Sequence, residues 1–379
     1  MLPLVVKFYE GFSMKKLFAI TALALVSLLH VPANAEQIRV PQNILLPSTG
    51  GLVQGTRQHS DQFMWGKFAE AVKPVASVPG KIEFLTWASD NDVYRVSPAW
   101  PAAGAARTFD CGAATNPYVS GFPVSGCIAE EVYRNRVQYD YIVDNGIYTK
   151  AGLASFFASD KTVTMPKASI SVKSNWVPVA NMLQWVSELK TADDVRRNYY
   201  VYSTGGVEYA LVAMHLASAW NPEWVWATFE HELNPGRCDT TGCYDRFGAR
   251  KKVVAPNFKV ANTQYGKCLK SDAALRAFAN AGIAEVFRNY CLKSSMVSPV
   301  SASGRPIVMA NSVTERITAN VELTSSCMGC HAYAAFGSSG SVTPGAAAML
   351  GYSPVGRVFP AALQGAKTYH FMWGLLNAP

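Results

Sequence analysis

Apolar and polar positions along this chain change period several times, and each period predicts an element. Residues 272–292 carry Leu275, Phe278, Ala279, Ile283, Val286, Phe287 and Tyr290 at intervals of three and four. That spacing lines one stripe of an amphipathic helix. Residues 61–75 place Phe63, Trp65, Phe68 and Ala69 at near-helical spacing, with Asp61 as a cap. Residues 129–160 read as helix in two pieces, broken near Asn145-Gly146, and 309–323 read as a further helix.

In the middle of the chain the period falls to two. Residues 168–180 alternate in part. Residues 199–203 and 208–218 flank Gly205-Gly206, a hairpin signal because tight hairpin turns demand positive φ. Alternation in the second run sets His215 opposite its apolar neighbours. Residues 224–230 (WVWATFE) add another strand pattern. The expected fold class is α+β. A large mixed body over 36–305, with an antiparallel sheet and flanking helices, precedes a short, mainly helical segment over 306–379. Residues 82–97 read as mixed structure. Residues 98–128, rich in Pro, Gly and Ala, read as an irregular stretch stapled by a disulfide.

Composition narrows the class. With 49% hydrophobic and 16% charged residues, the chain is no disordered polymer. The longest apolar run, residues 17–29, follows Met14-Lys15-Lys16 and precedes Ala33-Asn34-Ala35. This is the pattern of a Sec-type signal peptide over residues 1–35, with Met14 as an alternative start. The run is shorter than the roughly 20 residues of a membrane span. The expectation is therefore an exported, periplasmic protein with no membrane span after cleavage. The net charge of +8 is scattered, which argues against nucleic acid as a partner.

Export changes how the eight cysteines read, because thiols in an oxidising compartment become disulfides or ligands. Six of them allow 15 connectivities. Proximity in sequence favours Cys111–Cys127, Cys238–Cys243 and Cys268–Cys291. The other two belong to Cys327-Met328-Gly329-Cys330-His331, a C-x-x-C-H run. Two thiols one helical turn apart can reach the two vinyl groups of a haem, and the adjacent His can ligate its iron. The reading is one covalent haem c, held by Cys327 and Cys330, with His331 as proximal iron ligand. A thioredoxin-like redox pair or a fourth disulfide is the competing reading, and no βαβ pattern precedes the run.

The sixth iron ligand separates electron transfer from small-molecule chemistry. Downstream candidates are Met349, His370 and Met372; upstream ones are His59, His215 and His231. Each Met also suits core packing, and each His a hydrogen-bonded structural role. His231-Glu232 begins like a zinc-protease motif, but Pro235 stands where its second His would be. A zinc site of His231 with Cys238 and Cys243 lacks a fourth ligand.

Several stretches together resemble a family of exported bacterial proteins known as cytochrome c family proteins. They are Phe63–Phe68, Phe84–Trp87, Ile170–Trp176, Met214-His215, Trp224–His231, Ser326–His331 and Phe371–Trp373. The resemblance implies a monohaem protein with a mixed body and a C-terminal haem segment, and it sets His231 within a signature. The function expected is single-electron transfer with an unidentified redox partner protein. The alternative is a haem-dependent oxidoreductase, or its electron-transfer subunit, with a substrate site in the upstream body. There, His231 with Glu230 or Glu232 would serve acid–base or ligand roles.

Overall fold

Seven antiparallel strands form the central sheet: β1 (Ala88–Ser89), β2 (Ala129–Arg134), β3 (Ile170–Pro178), β4 (Val201–Thr204), β5 (Val207–Ser218), β6 (Val225–His231) and β7 (Tyr290–Met296). Their order is β1-β2-β3-β5-β6-β7, and β4 pairs the start of β5. A small second sheet pairs β8 (Ala335–Phe336) with β9 (Lys367–Thr368). The helices are α1 (Arg57–Val72), α2 (Asp90–Val93), α3 (Arg136–Asp144), α4 (Lys150–Ala158), α5 (Val179–Trp185) and α6 (Ala192–Asn198). They continue with α7 (Asp272–Ala281), α8 (Cys327–His331) and α9 (Pro344–Tyr352). The mixed α+β class with an antiparallel sheet and flanking helices is thus the observed one. This computed structural model describes residues 57–111, 122–123, 126–250, 262–315, 325–352 and 354–379. The expected signal peptide lies outside the described residues. Among those described, no helix is long and apolar enough to cross a membrane.

Directly paired residues of neighbouring strands share a face, so the register defines what each face carries. On one face, Val172, Leu216 and Ala227 are partners across β3, β5 and β6, as are Met214 and Phe229. These residues are buried under α1 and α7 with Trp65, Phe68 and Phe278. Phe68 stacks on Phe229 at 4.6 Å, and Trp65 meets Phe229 edge-on at 5.1 Å. Such aromatic pairs add about 0.5–1.5 kcal/mol beyond their burial. Asp61 does not cap α1. It lies inside the helix and accepts from Ser295 Oγ at 2.5 Å, joining α1 to β7.

The opposite face carries a polar row, Lys173–His215–Thr228, and two residues along it Ser171–Ala217–Trp226. This face is covered by an apolar cluster that includes Met309, Cys327, Met328, Tyr369 and Met372. The C-terminal segment therefore helps to cover this face of the sheet. It is tied down at its end by Lys150 N–H donating to Pro379 O at 2.9 Å and by Asn377 Nδ2 donating to Asp90 Oδ2 at 2.6 Å.

Two expected helices differ. The stripe over 272–292 breaks at Gly282, whose φ of 62° caps α7. Gly282 N–H donates to Ala279 O and Ile283 N–H to Phe278 O, the paired bonds of a left-handed cap. Residues 290–296 then form β7, so Tyr290 and Phe287 reach the same core from a strand and a 3-10 turn. Residues 129–134 form β2, because β1 and β3 offer two edges to pair with. Of the helix expected over 309–323, residues 309–311 run extended with Met309 bridging Ser326, 312–313 turn and 314–315 are helical, while 316–323 lie outside the described residues. The cysteines pair as their proximity suggested: Cys111–Cys127, Cys238–Cys243 and Cys268–Cys291.

Candidate functional site

The C-x-x-C-H run forms the single turn of α8. Ser326 caps it by accepting from Gly329 N–H at 3.1 Å. Gly329 is required by close approach: a Cβ there would sit 2.5 Å from Pro354 O and 3.1 Å from Val355 Cα. Cys327 and Cys330 are the two free cysteines, the first buried and the second partly so. Burial pushes the Cys327 thiol up and moves Cys330 to about 11, so both are thiols at neutral pH.

His331 Nδ1 lies 2.7 Å from the Phe371 carbonyl oxygen. A carbonyl only accepts, so the proton sits on Nδ1 and the lone pair on Nε2. Burial lowers the His331 pKa to about 4, which keeps the ring neutral. The Trp226 ring flanks it at 4.6 Å. The accepting carbonyl belongs to an unusual turn. His370 and Phe371 have φ of 49° and 69°, and Trp224 has 61°, three of the four non-glycine positive values among the described residues. Each costs on the order of 1–3 kcal/mol and persists only where its surroundings hold it. The His370 ring does so here. Its Nδ1 accepts from Met165 N–H at 2.9 Å and from the Trp224 indole N–H at 3.3 Å, and its Nε2 donates to Pro222 O at 3.2 Å.

Beside the motif stands the polar row of the sheet. Lys173 pairs with Glu130 at 2.8 Å, which keeps its ammonium charged against burial. His215 Nε2 lies 2.8 Å from Glu315 Oε1, and the other Glu315 oxygen accepts from Asn311 N–H. Burial works against the Glu315 carboxylate, but His215, Asn311 and Lys173 together hold its pKa below the ordinary value. Ligand atoms of His215, Glu315 and Cys327 lie within 4.8 Å of one another. His215 Nδ1 is buried and has no hydrogen-bond partner.

The other expected site residues go elsewhere. His231 accepts from Leu233 N–H at 3.1 Å, bonds Asn198 O at 2.8 Å and stacks on Tyr199 at 3.5 Å. It is five residues along β6 from Trp226, which touches His331, or roughly 16 Å at strand rise. Glu230 pairs with Lys293 at 2.9 Å and receives Ser312 N–H at 2.7 Å, whereas Glu232 receives Cys268 N–H at 3.1 Å. The structure therefore does not assemble His231 with either glutamate at the motif. Met349 sits half-buried on α9. The Met372 sulfur accepts from Ser171 Oγ at 3.4 Å. The His59 side chain lies outside the described residues. Glu315 and Lys173 were not singled out from sequence, and His370 was read as a candidate iron ligand rather than as the anchor of a turn. Lys173 alone left a signal, as the charged member of an alternating strand.

No family model, curated protein or solved structure matches this chain. The site must therefore be read from its own chemistry. Two thiols on one helical turn, a neutral imidazole steered by a carbonyl and a spare buried imidazole nitrogen nearby make a donor set that fits a c-type haem.

Proposed function

We propose that this chain is an exported monohaem c-type cytochrome that passes single electrons to and from an unidentified redox partner protein. Cys327 and Cys330 would hold the haem covalently, and His331 Nε2 would ligate the iron. The observation that carries the reading is the His331 Nδ1–Phe371 O bond beside two unpaired thiols. A haem bound there supplies an iron that takes up and releases one electron. The chain's own residues do the rest. The Phe371 carbonyl fixes the imidazole tautomer and raises its basicity. Trp226 and the apolar cluster around Cys327 and Met328 keep water from that side. The three disulfides and the signal-peptide pattern agree with an oxidising, periplasmic setting. The resemblance to cytochrome c family proteins points the same way.

One observation favours a second reading, a haem-dependent oxidoreductase. His215 and Glu315 form a hydrogen-bonded pair against Cys327, with Nδ1 left over. Such a pair can hold or move a proton beside a reacting centre.

Visible spectra of the exported holoprotein test both. A sharp reduced α-band and haem that stays with the denatured chain are expected, and Cys327→Ala with Cys330→Ala abolishes both. Absence of covalent haem overturns the two readings together. Six-coordinate low-spin iron that ignores carbon monoxide supports the carrier; high-spin iron that binds it supports the oxidoreductase.

A further inference from the structure

A recess of about 180 Å³ opens on the side of the sheet where the Cys268–Cys291 disulfide lies. Arg237, Tyr265, Lys267, Lys270 and Asp245 line it. Its volume equals roughly six waters, well below a pocket for a drug-sized molecule.

The charges around it are not paired directly. Arg237 is 4% exposed, and its Nε is buried without a partner. Its remaining donors meet two sulfurs at 3.4 Å and Gly266 O at 3.4 Å, all weak or long contacts. Lys270 is 7% exposed, donates to Cys268 Sγ at 2.7 Å and to the Cys268 carbonyl at 3.0 Å, and lies over the Trp65 ring at 5.5 Å. Lys267 is exposed at the rim. Among the described residues, none of these three cations has a carboxylate within ion-pair distance.

The nearby carboxylates are occupied by neutral donors. Asp245 takes Trp65 Nε1–H at 2.9 Å, Phe247 N–H at 3.0 Å and Gly248 N–H at 2.7 Å. Asp239 takes the Tyr265 hydroxyl at 2.6 Å, and Glu232 takes Cys268 N–H. Glu230 and Glu232 act on Arg237 from beyond ion-pair distance and the Tyr265 ring lies 5.9 Å from it, and a buried guanidinium so weakly paired is costly.

We propose that this recess binds a small oxyanion, a phosphate or a short carboxylate, held by Arg237, Lys267 and Lys270. The planar Arg237 fork suits two oxygens of such an anion, and the two ammonium groups add point charges. The lining itself carries three cations, Arg237, Lys267 and Lys270, against one carboxylate, Asp245.

Titration calorimetry of the holoprotein in 0.15 M chloride tests this, with inorganic phosphate and succinate as separate probes. Saturable binding of either is expected, and the arm that binds names the class. Arg237→Gln should weaken it at least tenfold. Lys267→Glu, at an exposed position that folds readily, should weaken it by a similar factor, and it carries the test if the Arg237 variant does not fold. No binding of either probe, or binding unaltered in Lys267→Glu, overturns the proposal. Haem content and spectrum are read on the same samples, so failure of this site and failure of the haem reading are separate results.

Discussion

His331 Nδ1 bonds the Phe371 carbonyl across 2.7 Å, although 40 residues separate them in the chain. The carbonyl is in reach because His370 and Phe371 both adopt left-handed backbone, and the His370 ring pins that turn to Met165 and Pro222.

Replacing His370 by Ala removes both anchors and leaves the Met165 N–H without its acceptor. The expected loss is about 1–3 kcal/mol of stability, read by urea unfolding. A midpoint equal to that of the parent protein would mean that the turn is held by something else.

His215, rather than His231, has a spare nitrogen beside the motif. In the holoprotein, His215→Ala is therefore expected to alter the haem spectrum and the response to carbon monoxide. His231→Ala is expected to leave the spectrum unchanged, because both of its nitrogens are taken by backbone groups. The opposite pattern would return His231 to the haem.

Glu230 and Lys293 form an ion pair whose side chains are 0% and 3% exposed. Glu230→Gln leaves the Lys293 ammonium buried without its counter-charge, and the expected cost is about 3–5 kcal/mol. Glu230→Leu with Lys293→Met removes both charges, and most of that loss should return. Thermal and urea unfolding of the single and double variants check the relation.

His231 sets a pH dependence. Burial lowers its pKa from 6.5 to about 3. Between these values the unfolded chain takes up a proton that the folded chain does not. Stability present above pH 6.5 is therefore lost as pH falls toward 3. Urea midpoints measured across that interval should fall in the parent protein. In His231→Gln, which also starts lower for want of the ring that stacks on Tyr199, the acid-side slope should be shallower. An unchanged slope would mean that other groups carry the acid sensitivity.

Much of the fold was legible because it depends on local periodicity. Alternation over 168–180 and 208–218, with Gly205-Gly206 between strands, marked β3, β4 and β5. Proximity in sequence was enough to pair six cysteines, since short loops close at low entropic cost. Residues 129–134 were misread as helix because their pattern is compatible with either element. What selects the strand is the presence of partners on both sides, which is a long-range fact. The helix over 272–292 was drawn too long for a related reason. Its apolar stripe continues into β7, and only the left-handed cap at Gly282 divides the two.

The sequence by itself determined the chemistry available: two thiols and a histidine spaced for one helical turn, in a chain that reads as exported. Which other groups join them was decided by tertiary structure alone. The sheet register places Lys173, His215 and Thr228 in one row. The turn at 312–313 brings Glu315 to that row, and a strained turn aims the Phe371 carbonyl at His331. No periodicity encodes these meetings, because each joins residues from separate stretches of chain. His231 stands within a recognisable run of sequence, yet backbone groups already occupy both of its nitrogens.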